Sequence, residues 1–273
     1  MTTRRSFLAA AIAAPALETA FAAKAAKVPF HLGVATYSLR KLSRADAIAA
    51  IKKMGVSYVS VKSFHLPLEG SVAEIKAGAD EFRKAGLTIL SGGNISLNSP
   101  DEAKLRANFE YAKAAGMPMI VCAPTHETLP TVHKLVKEYN IKAAIHNHGP
   151  EDKHFPSPQS VLDAIKGFDP RVGLCIDIGH TARTGVNVVE SIKLAGSRLL
   201  DMHVKDLKDL SKKESQCAVG EGAMPIREVF ATLKKMNYRG GCMLEYEINA
   251  DNPVPGMIQS FDFMRKTIDG LSS

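Results

Sequence analysis

The chain has 273 residues, of which 45% are hydrophobic and 23% are charged, with 20 Gly, 14 Pro, 4 Cys and no Trp. This composition excludes a disordered chain, a collagen-like repeat and a disulfide-dense scaffold, and the length suits one large α/β domain or two small ones. The formal charge of +7 at pH 7 is spread over lysine-bearing segments without interleaved aromatic residues, which disfavours a nucleic-acid-binding surface.

The first 23 residues are typical of an export signal. The pair Arg4 and Arg5 precedes an alanine-rich apolar run (9–17), and residues 20–22 fit a small-x-small cleavage site. The apolar run is far shorter than the roughly 20 residues of a membrane-spanning helix. The paired arginines resemble a twin-arginine signal, so we expect the twin-arginine machinery to export the folded protein to the periplasm. An ordinary Sec signal or an amphipathic amino-terminal helix is the alternative.

Short apolar runs that are typical of buried strands recur along the rest of the chain, and each is followed by a helical pattern. The centres of neighbouring runs lie roughly 30 residues apart, which is the length of one βα unit. Eight such units fit the chain, with one insertion before the last. The predicted strands are His31–Thr36, Ser57–Lys62, Leu87–Gly92, Met119–Ala123, Lys142–His148, Val172–Asp177, Leu199–Val204 and Gly241–Tyr246.

Capping residues mark helices between these strands. Ser99-Pro100 is expected to open one helix, because proline is favoured at the first helical position. The segment Leu210–Met224 is rich in lysine and has no periodic pattern, so we expect a long loop after the seventh strand. The other predicted helices run from Ser43 to Met54, from Ser157-Pro158 to Gly167 and over Val188–Ala195.

Strands that alternate with helices predict a parallel sheet. Eight units in about 250 residues match a (β/α)8 TIM barrel. An open doubly wound sheet is the competing architecture, but its usual dinucleotide-binding form needs a G-x-G-x-x-G motif after the first strand, and this motif is absent. We therefore predict one α/β domain, a TIM barrel over residues 24–273.

The last four predicted strands end in titratable side chains, at the edge where TIM barrels carry their chemistry. Charged groups at the ends of buried strands are costly unless they are paired or bind a metal, so this set predicts a divalent metal site. Because side chains alternate along a strand, His146 shares a face with His148, and Glu245 shares a face with Glu247, so each pair could supply one metal ligand and one neighbour that reaches the substrate. The choice between Glu245 and Glu247 as ligand stays open. The candidate ligands are one of His146 and His148, together with Asp177, His203 and one of Glu245 and Glu247.

Other polar residues lie outside this set of strand-end side chains. Lys62 and His65 follow the second strand at the same edge, and we expect them to contact the substrate. His31, His126 and His133 are expected to be surface or capping groups. The four cysteines show no C-x-x-C spacing and three lie in strand-like runs, so we expect buried core thiols. Whether two of these cysteines form a disulfide in an oxidising compartment is left open by the sequence.

The strand-end motifs resemble those of the xylose isomerase-like superfamily, in particular its sugar phosphate isomerase/epimerase type. The likeness covers essentially the whole mature chain, so it implies the same barrel fold. Its most specific parts are Asp177-Ile178-Gly179-His180, His203-Val204-Lys205-Asp206, Gly220-Glu221-Gly222 and Glu245-Tyr246.

The resemblance also implies the metal ligands. In the family, one residue from each of the last four strands holds Mn, Mg, Co or Zn, and Asp177, His203 and Glu245 match three of these positions. The first position departs from the family, because relatives carry Glu-Asn-His where this chain has His146-Asn147-His148. The additional imidazole favours a single ion of Mn, Co, Zn or Fe over Mg. The lost glutamate, which can act as a base in family epimerases, weakens a two-glutamate mechanism.

The activity that the resemblance implies is that of a sugar isomerase or epimerase, which removes a proton next to a metal-bound carbonyl. The expected acid, base and oxyanion-stabilising groups are Glu247, His148, His180 and Lys205. The expected substrate contacts are Lys62, His65 and Glu221.

Three other functions are alternatives to a sugar isomerase or epimerase. A metal-dependent 3-keto-glycoside lyase or hydrolase would use the same proton removal and then expel the aglycone. A non-catalytic sugar-binding protein would keep the barrel without turnover. The apurinic-site endonucleases of the superfamily use three zinc ions and many more ligands than this chain offers, which disfavours a nucleic-acid substrate. The sugar itself and the oligomeric state stay open.

Overall fold

The protein is built on ten strands in the computed structural model, which describes residues 28–271. The predicted export signal at residues 1–23 lies outside the described residues. Within the described part, no helix is both long and apolar enough to cross a membrane. The strands are β1 (His31–Ala35), β2 (Tyr58–Val61), β3 (Thr88–Leu97), β4 (Met119–Pro124), β5 (Lys142–His146), β6 (Val172–Asp177), β7 (Leu199–Val204), β8 (Asp206–Leu207), β9 (Gln216–Cys217) and β10 (Gly241–Leu244).

Eight of these strands close into a barrel in which every neighbouring pair is parallel. The first seven follow one another in chain order, and β10 lies between β7 and β1. The predicted single-domain TIM barrel is therefore confirmed. Strand β3 continues to Leu97, beyond the predicted end at Gly92, whereas β5 and β10 end earlier than predicted, at His146 and Leu244.

Helices follow the barrel strands, and Ser43 and Ser157 cap two of them as predicted. The predicted helix start at Ser99-Pro100 is wrong. The carboxylate of Asp101 accepts the N–H of Ala103 at 2.9 Å and is the N-cap, so the helix begins after it. The helices are α1 (Arg44–Lys53), α2 (Val72–Lys84), α3 (Glu102–Ala114), α4 (Leu129–Tyr139), α5 (Pro158–Ala164), α6 (Ile178–Arg183), α7 (Val188–Ala195), α8 (Ile226–Lys235) and α9 (Val254–Asp269).

The lysine-rich segment after β7 is more ordered than the predicted loop. Strands β8 and β9 pair antiparallel in a small hairpin. The buried carboxylate of Asp206 accepts hydrogen bonds from the N–H groups of Gly220, Gly222 and Met224 at 2.9–3.1 Å. This carboxylate fixes the Gly-Glu-Gly turn behind the hairpin, because it satisfies backbone donors that the turn itself leaves unpaired.

The barrel interior contains a small apolar layer below its carboxyl end, formed by Met119, Val121, Ala144 and Cys175. A larger apolar cluster fills the space between the barrel and the helices. All four cysteines are buried and unpaired, which agrees with the prediction of core thiols. The polar groups of the interior are concentrated above this layer, at the carboxyl ends of the strands.

Candidate metal centre

Four side chains meet at the carboxyl ends of neighbouring strands. His146 ends β5, Asp177 ends β6, and His203 lies in β7. Glu245 follows directly after β10. The register sets Asp177 beside His203, and the alternation of side chains turns the four residues toward the barrel axis.

The facing atoms of these residues are close enough to share one cation. Nε2 of His146 lies 2.9 Å from Nδ1 of His203 and 3.5 Å from Oδ2 of Asp177. Nδ1 of His203 lies 3.2 Å from Oε2 of Glu245. One ligand atom from each residue lies within 4.8 Å of the other three, a spread that suits ligand distances of roughly 2.0–2.2 Å around a zinc ion.

The states of two of the donors, His146 and Asp177, also fit a metal. Burial lowers the pKa of His146 to about 3, which keeps this imidazole neutral and its lone pair available. Oδ2 of Asp177 is buried without a hydrogen bond of regular geometry, and its close contacts are the ammonium of Lys205 at 2.9 Å and Nε2 of His146 at 3.5 Å, so this oxygen already faces a cation and is placed to bind another. The residues therefore fit one divalent ion, and two imidazoles among four donors favour Zn, Co, Mn or Fe over Mg.

A second set of potential ligands overlaps the first and consists of His146, Cys175 and His203. Burial raises the pKa of Cys175 to about 12, so its sulfur stays a thiol at neutral pH. Because a thiolate is the form that binds metals, this set is the weaker candidate. The set with two carboxylates is the candidate centre.

The ammonium group of Lys205 lies among the carboxylates of the centre. Its Nζ is 2.9 Å from Oδ2 of Asp177 and from Oε2 of Glu245, and 2.7 Å from Oε2 of Glu247. Burial alone would raise the pKa of Asp177, but this ammonium holds the pKa well below its usual range. Burial alone would lower the pKa of Lys205, but the three carboxylates hold that pKa well above its usual value. Lys205 therefore carries a positive charge beside the candidate ligands.

A cavity of about 510 Å³ opens over the centre, within the range of about 300–1,000 Å³ that small-molecule sites occupy. Two of the candidate ligands, His146 and Glu245, form part of its wall. Lys205 is buried beneath Glu247 and contacts it. The predicted catalytic or substrate-binding residues that line this cavity are Glu247, His148, His180 and Lys62.

His148 is held between an amide and a carboxylate. Nδ2 of Asn94 donates a hydrogen bond to Nε2 of His148 at 2.8 Å. Nδ1 of His148 lies 3.2 Å from Oδ2 of Asp152. This arrangement leaves the proton on Nδ1 and the lone pair on Nε2, with Asp152 placed to stabilise the ring if it takes up a proton.

His180 and Lys62 present further polar groups to the same cavity. Nδ1 of His180 accepts a hydrogen bond from Arg183 at 3.1 Å, and burial lowers the pKa of His180. Nζ of Lys62 donates to the backbone carbonyl of Asn94, and burial lowers the pKa of Lys62 as well. Both side chains are therefore anchored at the edge of the cavity, where they can contact hydroxyl groups of a ligand.

Two predicted substrate contacts lie away from this cavity. His65 is only 1% exposed, and its Nε2 lies 3.2 Å from the carbonyl oxygen of Leu39. Glu221 lines a separate cavity, where its Oε1 accepts a hydrogen bond from Gln259 at 2.6 Å. The structure brings neither residue to the candidate metal centre.

Three residues of the site are absent from the predicted set. Asn147 fixes the end of β6, because its Oδ1 accepts the N–H of Asp177 and its Nδ2 donates to Thr181, each at 3.1 Å. Asn94 lies in β3 and faces the same edge of the barrel, so a search for polar residues near the carboxyl ends of the strands could have identified it. Asp152 lies in the loop after β5, and no sequence signal marks it.

Comparisons with known proteins agree with this architecture. The family described as "Xylose isomerase-like TIM barrel" matches residues 48–267. "Uncharacterized protein MJ1311" of Methanocaldococcus jannaschii is 28% identical over 123 residues, which cover 43% of this chain and 41% of that protein. Two solved structures have the same fold with a TM-score of 0.72: D-psicose 3-epimerase from Clostridium cellulolyticum H10 (16% identity, 88% of this chain and 99% of that one) and L-ribulose 3-epimerase (13% identity, 89% and 95%).

Proposed function

The chain belongs to the xylose isomerase-like TIM barrel family, and from that premise we propose that it is a metal-dependent sugar isomerase or epimerase. The observation that carries the proposal is the position of the candidate metal centre directly under a cavity lined by proton-transferring side chains. The reaction begins with removal of a proton from the carbon next to a carbonyl group. A bound divalent ion would act as a Lewis acid that stabilises the negative charge developing on the carbonyl oxygen.

Two side chains of the cavity are suited to accept the substrate proton. Oε2 of Glu247 is held in place by Nζ of Lys205 at 2.7 Å. The lone pair on Nε2 of His148 accepts a hydrogen bond from Asn94, so His148 would accept the proton once a substrate displaces that bond, with Asp152 supporting the ring from the other nitrogen. Two acceptors allow removal of a proton by one group and its return by the other, which is what epimerisation requires.

The remaining polar groups suit a small carbohydrate. Lys62 and His180 offer nitrogen atoms at the edge of the cavity, and the rest of its lining combines an amide, four carboxylates, two imidazoles, a tyrosine and a second lysine. Hydroxyl groups both donate and accept hydrogen bonds, so a polyol matches this mixed lining better than an apolar ligand does. The sugar epimerases of the same fold support this substrate class.

The proposal is tested by proton exchange. Protein loaded with Mn²⁺, Co²⁺ or Zn²⁺ is incubated in D2O with D-fructose, D-psicose, D-tagatose and L-ribulose, and the products are analysed by NMR. We expect deuterium at the carbon next to the carbonyl together with the epimer or the aldose, and no exchange after treatment with EDTA. Glu247→Gln should reduce exchange at least roughly 100-fold, whereas the exposed control Glu190→Gln should not. Absence of exchange with every sugar in metal-loaded protein would refute the proposal.

A second candidate function is cleavage of a 3-keto-glycoside. The observation that favours it is the imidazole of His146 at the fifth-strand position, so that no pair of glutamates faces across the centre. Removal of the C2 proton would be followed by breakage of the C1–O bond, which yields a 1,2-unsaturated ketone and the protonated aglycone. Release of p-nitrophenol from a p-nitrophenyl 3-keto-glucoside, without exchange on free ketoses, would select this reaction.

We also propose that the protein acts in the periplasm. The arginine pair at positions 4 and 5, the short apolar run and the small-x-small site support export through the twin-arginine machinery. This route transports folded proteins, so the metal would be acquired before export.

A further inference from the structure

A second cavity lies next to the first on the same face of the barrel. It measures about 650 Å³ and is lined by residues of the β9 hairpin, of the segment after β10 and of α9. A cleft of about 340 Å³ lies between the two and has lining residues in common with each. The cleft shares Tyr37, Lys213 and Glu247 with the cavity over the metal centre, and it shares Gln216 and Ile248 with the second cavity.

The chain after β10 runs along all three spaces. Glu247 borders the first cavity, Ile248 borders the cleft, and Asn249 borders the second cavity. Two residues of extended chain span at most about 7 Å. The Cα atoms of Glu247 and Asn249 are therefore no further apart than this, so the two cavities are close enough for one ligand of two rings to be considered across them.

Gln216 makes the junction rigid. Its Nε2 donates to the carbonyl oxygen of Glu245 at 2.8 Å, and its Oε1 accepts the N–H of Glu247 at 2.9 Å. Its side chain is buried, and both of its polar atoms are engaged. The second cavity is thus joined in a fixed geometry to the strand end that carries a candidate metal ligand, as expected for a preformed binding site.

The lining of the second cavity favours a neutral hydroxylated ring. Asn249, Asn252 and Gln259 offer amide groups that both donate and accept hydrogen bonds, and the largely buried Tyr246 forms part of the wall behind them. Of the charged residues in the lining, Glu221 and Asp251 are acidic and only Lys208 is basic. This balance disfavours a phosphate group, so the chemistry matches a sugar without an anionic substituent.

We propose that the second cavity is a subsite for a second sugar ring, so that the substrate is a disaccharide or a glycoside of similar size. Its reacting ring would lie over the metal centre, and its other ring would lie among Asn252, Gln259 and Tyr246. This inference rests on the proposed function, because it assigns the reacting ring to the first cavity. It also gives Glu221 a place in substrate binding that is remote from the metal.

Calorimetric titration of cobalt-loaded protein tests the subsite. The probes are the reducing disaccharides maltose and lactose, whose free anomeric carbon can open to a carbonyl group, each compared with its constituent monosaccharides. Gln259→Trp fills the second cavity from the exposed side of α9. Gln159→Trp is the matched control, because Gln159 is also an exposed helical glutamine with one side-chain hydrogen bond, and it lines none of the three spaces.

We expect at least one disaccharide to bind 10-fold or more tightly than either constituent. Gln259→Trp should abolish that advantage without changing monosaccharide binding, and Gln159→Trp should keep it. If monosaccharides bind but no disaccharide binds more tightly, or if the advantage survives in Gln259→Trp, the subsite is refuted and the proposed function stands. If no sugar of either size binds, both proposals fail.

Discussion

Nζ of Lys205 lies 2.9 Å from Oδ2 of Asp177, and both side chains are buried at the mouth of the barrel. The same oxygen faces Nε2 of His146 at 3.5 Å. An ammonium group and a divalent cation would therefore bind the same carboxylate. Lys205 compensates the negative charge of the centre in the metal-free protein, and its contact with Glu247 would remain when a cation binds Asp177 and Glu245.

Replacement of this lysine should make the fold depend on metal. We expect Lys205→Met to lose about 3–5 kcal/mol of unfolding free energy in EDTA, because it leaves buried carboxylates without a counter-charge. Cobalt should restore more stability to this variant than to the wild type, because removal of the ammonium that competes for Asp177 and Glu245 should raise the affinity for Co²⁺, and the stability gained on binding grows with the logarithm of the affinity. Urea denaturation with and without Co²⁺ measures both effects. Lys193→Met, at an exposed ion pair, is the control and should change stability by less than about 1 kcal/mol. Equal stability of Lys205→Met and the wild type in EDTA would contradict this account.

The metal ligands can be separated from their neighbours by conservative substitutions. Asp177→Asn can still accept the N–H of His180 and thus keep the helix cap, but it loses the charge that binds a cation. We expect this variant and Glu245→Gln to lose stoichiometric metal, whereas Glu247→Gln should retain it. Elemental analysis of dialysed protein measures the metal content. Retention by Glu245→Gln together with loss by Glu247→Gln would reverse the assignment of the two glutamates.

The convergence of the four candidate ligands could be predicted, because it depends only on strand positions and on the alternation of side chains. Asp177 and His203 occupy paired positions on adjacent strands of a closed barrel, so their meeting follows from the topology. His65 follows a strand at the same edge, but it lies in a turn where no alternation fixes its direction, and it is buried against Leu39. The contacts of Lys205 could not be predicted, because they depend on how far one side chain reaches across neighbouring strands.

The Gly-Glu-Gly motif could also be interpreted only in part from the sequence. Its glutamate was expected at the substrate, but the structure constrains the glycines instead. A Cβ atom on Gly222 would lie 2.2 Å from Oδ1 of Asp206, the carboxylate that holds the turn. The sequence motif marks this close approach without revealing which side chain requires it.

Gly222→Ala should therefore disrupt the turn. We expect a loss of about 2–4 kcal/mol, because the added methyl group must break hydrogen bonds between backbone N–H groups and a charged acceptor. Urea denaturation measures the loss, and hydrogen exchange should show faster exchange at Met224. Gly70→Ala is the control, since the nearest atom to its added Cβ is 3.3 Å away and its backbone has no positive φ. Unchanged exchange at Met224 in Gly222→Ala would show that the turn does not depend on the close contact.

A buried acid inside the barrel predicts a distinct pH dependence. Oδ2 of Asp201 accepts a hydrogen bond from Ser91 at 2.7 Å, and burial raises the pKa of Asp201 from its ordinary 3.8 to about 6. The native state thus binds a proton more tightly than the unfolded chain does. The contribution of Asp201 to stability is present below pH 4 and is lost as pH rises through 6, by about 3 kcal/mol in total.

Asp201→Asn removes this proton equilibrium. Its stability relative to the wild type should increase by about 3 kcal/mol between pH 4 and pH 7 in EDTA. Urea denaturation at unit pH intervals measures the difference, and the exposed Asp163→Asn serves as control. If the difference in unfolding free energy between Asp201→Asn and the wild type does not change with pH, the pKa of Asp201 is not raised in the native state.

The export route can be tested with a substitution that preserves charge. A Sec signal needs a positive amino terminus, which lysine supplies as well as arginine does, whereas the twin-arginine signal is an address read by a receptor. Guanidinium groups form planar, bidentate contacts that an ammonium group cannot reproduce. We therefore expect the double variant Arg4→Lys, Arg5→Lys to stay in the cytoplasm with its signal uncleaved, while the control Lys24→Arg is exported normally. Fractionation of cells followed by immunoblotting measures the distribution. Recovery of the double variant from the periplasm would instead assign the signal to the Sec route, and the metal would then be acquired after export.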